Sequence, residues 1–126
     1  MLVSGRYEDA RRLSRMLGAL PLRLDHVESI EHARAKLRQE DYGVILTEAT
    51  LPDGTWEDAL RLARTSAQDL EVIVTDPHAD DRFWAEALNL GAYDLLVQPF
   101  YEPEVRRILS NACSRSAMDA HRMAAA

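Results

Sequence analysis

A chain of 126 residues with 47% hydrophobic and 29% charged side chains has the size and balance of one globular domain, long enough to bury a core without staples or metals. No apolar run approaches the ~20 residues of a membrane-spanning helix, and a formal charge of −6, with 15 basic residues dispersed along the chain against 21 acidic ones, disfavours direct contact with nucleic acid. The lone Cys113 excludes an internal disulfide and a multi-cysteine metal site, Met1-Leu2-Val3 lacks the charged start of a secretory signal, and the expected compartment is the cytoplasm.

Apolar runs at Met1–Ser4, Leu22–Leu24, Val44–Thr47, Leu70–Thr75 and Leu95–Val97 predict five short strands. Each is followed by a stretch in which apolar residues recur with helical spacing. In the first helix Ala10, Leu13 and Leu17 share a face. In the second, Ile30, Ala33 and Leu37 do so, His32, Arg34, Lys36 and Arg38 turn away, and Ser29 is the expected N-cap. Trp56, Leu60 and Ala63 mark the third helix, with Trp56 covering its core side, and Trp84, Ala87 and Leu88 mark the fourth. Phe83 and Trp84 are neighbours there and cannot both point inward. Val105, Ile108, Leu109 and Ala112 mark the fifth helix, and Pro103 suits its first turn. After Ala112 the stripe is lost, so the domain is expected over 1–113, with 114–126 as a helix end or disordered tail and no linker to a second domain.

Strands buried on both faces and alternating with amphipathic helices make a parallel sheet covered on both sides, a three-layer α/β sandwich. Ligands of such sheets sit at the carboxyl ends of the strands. Here those ends are Ser4-Gly5-Arg6, Glu48, Thr75-Asp76 and Gln98-Pro99. The glycine-rich phosphate loop of nucleotide-binding sheets is missing, since "SGRYED" holds one glycine. "TDPHADD", with Asp76, His78, Asp80 and Asp81, reads as a turn and helix start rather than as a metal cluster, and His26, His32 and His121 have no ligand spacing.

"LTEATLPDG" after the third strand, "VIVTD" at the fourth and "GAYDLLVQPF" at the fifth together resemble the CheY-like receiver domain of bacterial response regulators, over roughly residues 1–113. The resemblance implies a flavodoxin-like five-stranded parallel sheet in the order 2-1-3-4-5 with five helices. It also implies an aspartate nucleophile at the end of the third strand, an acidic pair after the first that holds Mg²⁺, a Ser or Thr after the fourth, and a Lys before a cis proline. Each residue type serves in-line transfer of a phosphoryl group and neutralisation of its charge.

Carried over to this chain, Glu48 stands at the phosphoacceptor position, Gly5 and Arg6 at the acidic pair, Thr75 and Leu95 at the two switch positions, Gln98 at the Lys and Pro99 at the cis proline. Glu48 is a methylene too long for the attack geometry, and a glycine and a cation do not hold Mg²⁺. The chain is therefore read as a pseudo-receiver: not an enzyme, without Mg²⁺ or another cofactor, and active through protein contacts. Arg6 is expected to pair with Glu48, and Gln98 to hydrogen-bond it. Leu95, lacking a polar tip, weakens the usual switch.

The expected interaction face is Trp84, Leu95, Tyr101, Glu104 and Arg107. Its partners would be a histidine kinase, a downstream effector or a second copy, with no direct nucleic acid and no membrane. Two alternatives stand beside this reading. One is a phosphorylatable response regulator modified at Glu48 or Asp53, although Asp53 in "LPDG" also suits a turn. The other is a small-molecule sensor of the same fold.

Overall fold

The computed structural model describes residues 1–18, 20, 23–78 and 80–125. In chain order the elements are β1 (Leu2–Val3), α1 (Tyr7–Leu17), β2 (His26–Val27), α2 (Ile30–Gln39), β3 (Val44–Glu48), β4 (Thr50–Leu51), β5 (Gly54–Thr55), α3 (Trp56–Thr65), β6 (Glu71–Asp76), α4 (Asp81–Asn89), β7 (Asp94–Val97) and α5 (Glu102–Ala125). Five strands form one sheet in the order β2-β1-β3-β6-β7, with every pair parallel. This is the expected 2-1-3-4-5 order. β4 and β5 form a separate antiparallel hairpin, which the strand pattern did not foresee because its turn, Pro52-Asp53, interrupts a short and partly polar run.

The alternation of side chains along each strand divides the core in two. Val3, Ile45, Val72, Val74 and Leu95 face Ile30 and Ala33 of α2, Trp56, Ala59, Leu60 and Ala63 of α3, and Ala87 of α4. Leu2, Leu46, Ile73 and Leu96 face Ala10, Leu13 and Leu17 of α1 and Val105, Ile108, Leu109 and Ala112 of α5. Because both faces are covered, the central strands read as unbroken apolar runs. Among the described residues no helix is long and apolar enough to cross a membrane.

The second strand differs from its expected place at Leu22–Leu24. Leu22 lies outside the described residues, Leu24 packs half-buried against the α1 and α5 side of the core, and pairing with β1 begins where Leu2 N–H donates to Asp25 O at 2.8 Å. The paired residues are His26 and Val27. This is an edge strand of two residues with a polar side chain at its first position, a pattern that gives no apolar run.

The fourth helix has a different inner face from the expected one. Asp80 caps α4 by accepting from Phe83 N–H at 2.8 Å, and this phase turns Phe83 and Ala87 inward. Phe83 meets Trp56 with ring centroids 5.7 Å apart. Trp84 and Leu88 remain 47% and 39% exposed. The other stripes fall as expected, and Ser29 caps α2 by accepting from His32 N–H at 3.2 Å. α5 continues through the segment after Cys113 to Ala125; Ala126 and the side chain of His121 lie outside the described residues.

Candidate functional site

β3 and β1 run side by side in the register Val3↔Thr47, so the residues that follow at their carboxyl ends, Glu48 and Ser4, meet at the top of the sheet. Ser4 is fully buried, and its hydroxyl donates to Glu48 Oε1 while its Oγ accepts Arg6 N–H at 3.0 Å. On the outer side, His26 Nε2 lies 2.8 Å from the Ser4 carbonyl oxygen. Glu48 pairs across β6 with Thr75, whose carbonyl accepts Ala49 N–H at 3.0 Å.

A second carboxyl group joins from α1. Asp9 sits in the first turn with 7% exposure, takes a hydrogen bond from Gln98 Nε2 at 3.4 Å and lies close enough to Glu48 to affect its titration. The Glu48 carboxyl titrates above its usual range, chiefly because burial strips it of water. The Ser4 hydroxyl opposes that rise, Asp9 adds to it, and Arg6 opposes it least.

A pocket of about 220 Å³ opens beside Glu48, which lines it together with Arg6, Thr75, Asp76, His78 and Gln98. Thr75 is 1% exposed, and its hydroxyl oxygen has no hydrogen-bond partner among the described residues. Asp76 is turned to its own loop, where it accepts His78 N–H at 3.1 Å.

Several expected site residues sit differently. Among the described residues no ion pair joins Arg6 to Glu48; Arg6 is exposed, and the group that answers the carboxylate is the hydroxyl of Ser4. Gln98 reaches Asp9 rather than Glu48, because α1 brings that carboxylate nearer to the end of β7. Gly5 packs beside Pro52, whose ring lies 3.5 Å from where a Cβ would be, so it belongs to the contact with the β4–β5 turn. The Gln98–Pro99 bond is cis, as expected. Asp53 caps α2, accepting Ile30 and Glu31 N–H at 2.9 and 3.1 Å, and the Ile30 N–H is the main reason its carboxyl is held below the usual range.

On the other face of the molecule Leu95 is buried under α4 at 6% exposure and is no part of a surface. Strand alternation puts both Leu95 and Leu96 in the core, and Val97, one residue later, is the strand's exposed apolar group. Trp84, Tyr101 and Arg107 are exposed and Glu104 partly so.

Ser4 and Asp9 were the residues that sequence reasoning missed. Ser4 is named there only as the end of the first strand, and Asp9 is given no role. The signal for Asp9 is its place four residues before Leu13, on the inner face of α1, where a charge is rarely left unpaired.

Among the described residues no group of three or more His, Cys, Asp and Glu side chains gathers as a metal site. The Mg²⁺ that the family resemblance implies requires several oxygen donors in octahedral array. The carboxyl groups present already accept from Ser4 and Gln98, and Arg6 brings a cation to the pocket wall. These residues do not fit the ion.

The family profile of the response regulator receiver domain matches residues 7–110. Among solved structures, the signal receiver domain of a putative Luxo repressor protein from Vibrio parahaemolyticus is 20% identical, with TM-score 0.87, over 94% of this chain and 92% of that one. The beryllofluoride-activated NtrC4 receiver domain dimer is 22% identical, with TM-score 0.83, over 91% of this chain and 95% of that one. The receiver domain of a sensor histidine kinase from Pseudomonas aeruginosa, solved with a magnesium ion in its active-site cleft, is 24% identical, with TM-score 0.77, over 90% and 94%. No curated protein matches the chain.

Proposed function

Because this chain belongs to the response regulator receiver domain family, we propose that it is a pseudo-receiver: a cytoplasmic two-component signalling module that acts through protein contacts without being phosphorylated and without turnover of its own. The observation that carries the reading is the occupant of the phosphoacceptor position. Glu48 lines the pocket at the top of the sheet, one methylene longer than an aspartate, with Oε1 tied to the Ser4 hydroxyl, so its carboxylate does not stand where an aspartate would for in-line attack.

In this reading the Glu48 carboxyl group, which sits at the phosphoacceptor position at the end of β3, substitutes a built-in charge for the phosphoryl group. The output surface is the exposed apolar side formed by Trp84 and Leu88 of α4, Val97 of β7 and Tyr101 before α5. A histidine kinase, an effector or a second copy would meet the protein there.

The test is incubation with acetyl phosphate and Mg²⁺ followed by intact mass measurement. The expected result is no gain in mass. One observation favours the alternative of a phosphorylatable regulator, namely the buried Thr75 hydroxyl with no protein partner beside the pocket. A phosphoryl adduct mapped to Glu48 or Asp53 would establish that alternative.

A further inference from the structure

Strand β3 has two ends, and a larger cavity lies at the one away from Glu48. It has a volume of about 600 Å³ and opens beside Val44, the first residue of the strand, roughly 13 Å of extended chain from Glu48. Ligands of parallel sheets are expected at the carboxyl ends of the strands. This cavity is at the opposite edge, and its volume falls within the ~300–1,000 Å³ of small-molecule sites.

The interior is aliphatic. Leu17 of α1, Leu24 before β2, Val44 and Leu46 of β3, and Leu109 and Cys113 of α5 line it, all of them members of the α1 and α5 side of the core or packed against it. An apolar recess of this size is a cost to a fold that could close over it. A polar frame at the mouth keeps it from closing. Gln68 Oε1 accepts Tyr42 N–H at 2.5 Å, and the Gln68 amide nitrogen donates to the carbonyls of Leu37 and Glu40 at 2.9 and 3.0 Å. Arg23 joins Asp25 to Glu40, and the Tyr42 hydroxyl lies 2.5 Å from Asp25 Oδ2 and 2.9 Å from Glu40 Oε2. Residues 40–43 are thereby pinned to the end of α2 and to the loop before β6, and a wall fixed in advance lowers the cost of binding.

The mouth is also acidic. Glu40 and Asp41 line it beside one guanidinium, Arg23, which is already engaged by Asp25 and Glu40. Lys36 stands 4.0 Å from Glu40, whereas among the described residues no ion pair includes the exposed Asp41. An anionic head group would be repelled by this excess of carboxylates. A cationic one gains Asp41 as counter-ion and the field of a protein with formal charge −6. The Met1 amino group donates to Val44 O at 2.8 Å, and burial brings its titration down to about 6, so near neutral pH it sets little positive charge against such a ligand.

We propose that this cavity binds a small amphipathic amine, with its aliphatic body against Leu46 and Leu109 and its ammonium group at Asp41. The site shares a strand with Glu48 and does not depend on modification of that residue.

The probe is octylamine, compared with octanol and octanoate, which put other heads on the same tail, and with hexylamine, which shortens the tail. On titration of wild-type protein with isotope-labelled leucine and valine methyl groups, shifts are expected at Leu17, Leu24, Val44, Leu46 and Leu109, and not at Leu60 and Val74 on the other side of the sheet. Octylamine should also slow the reaction of Cys113 with methyl methanethiosulfonate, followed by intact mass, because the thiol lines the same cavity. Near neutral pH octylamine should bind about threefold or more tightly than octanol, with octanoate the weakest of the three. Hexylamine should bind about tenfold more weakly than octylamine. Asp41→Asn, an exposed change, should bring octylamine and octanol within about twofold of each other.

Shifts spread over the surface would overturn the proposal, as would a Cys113 reaction rate unchanged at saturating octylamine. Octanoate as the tightest ligand would make this an anion site, equal affinity for the three heads would leave an apolar gap without a preferred ligand, and equal affinity for hexylamine and octylamine would leave surface charge alone. Each of these results overturns the amine assignment. The methyl shifts and the thiol reaction use the wild-type protein, so they decide the matter even where Asp41→Asn folds poorly.

Discussion

Glu48 and Thr75 face each other at the top of the sheet, and both hold polar groups away from water at some cost. Loss of hydration is the main reason the Glu48 carboxyl titrates above its ordinary 4.5, with the neighbouring Asp9 adding to the effect and Ser4 and Arg6 opposing it. A folded-state value above the unfolded one means that the folded protein binds the proton more tightly. That contribution to stability is complete below about 4.5 and is lost as the pH rises through the raised folded value. Glu48→Gln keeps the shape and removes the titration, and its amide can still accept from Ser4. The variant should melt with the wild type near pH 4 and some degrees above it near pH 8 (about one pH unit either way). Thermal scans in which wild type gains on the variant as the pH rises would contradict this. Thr75 makes a simpler case: its buried hydroxyl lacks a protein partner, and an unpaired buried hydroxyl costs ~1–3 kcal/mol. Thr75→Val, similar in shape and suited to a strand, should raise the urea-unfolding free energy by about 1 kcal/mol. A loss would reveal a water bonded to that hydroxyl.

At the scale of elements, the helices were the legible part of the sequence and the edges of the sheet were not. Ala10, Leu13 and Leu17 of α1, or Val105, Ile108 and Leu109 of α5, repeat at a spacing that only a helix can place on one face. The cap of α2 was equally open to reading, because Ser29 is polar, precedes the stripe and satisfies a donor of the first turn. Ser29→Ala should therefore cost about 1 kcal/mol in chemical denaturation, with a steeper loss of exchange protection in α2 than in α5. β2 was not legible because an edge strand two residues long needs no apolar run; its place is decided by backbone hydrogen bonds to β1. α4 was misread by one position because Trp84 is large and apolar, while the cap at Asp80 sets a phase that turns Phe83 inward instead. Part of the site was hidden for a related reason. Strand ends could be named from the pattern of runs, but that Asp9 of α1 would reach the end of β3 depends on how the helix packs on the sheet.

For the molecule as a whole, the distribution of apolar surface separates residues that hold the fold from those free to serve a partner. Ile73 lies at the middle of β6, between β3 and β7, with no exposure. Its side chain is enclosed by the α1 and α5 side of the core, so Ile73→Ala should cost about 3 kcal/mol through lost burial and a cavity that neighbours cannot close. Trp84 is larger, yet its 47% exposure leaves much of its ring in water. Leu88 follows on the next turn of α4, and Val97 and Tyr101 are 46% and 67% exposed. An exposed apolar set of this size contributes little to folding and is a liability in a protein that stays alone. Trp84→Ala should change the unfolding free energy by less than about 0.5 kcal/mol, while weakening any complex formed through the α4 side by a larger amount, since aromatic anchors carry much of the energy of an interface. Parallel measurement of unfolding and of partner affinity or self-association decides the matter. A variant that unfolds readily would make Trp84 part of the core, and one that leaves both quantities unchanged would remove this side of the molecule as an output surface.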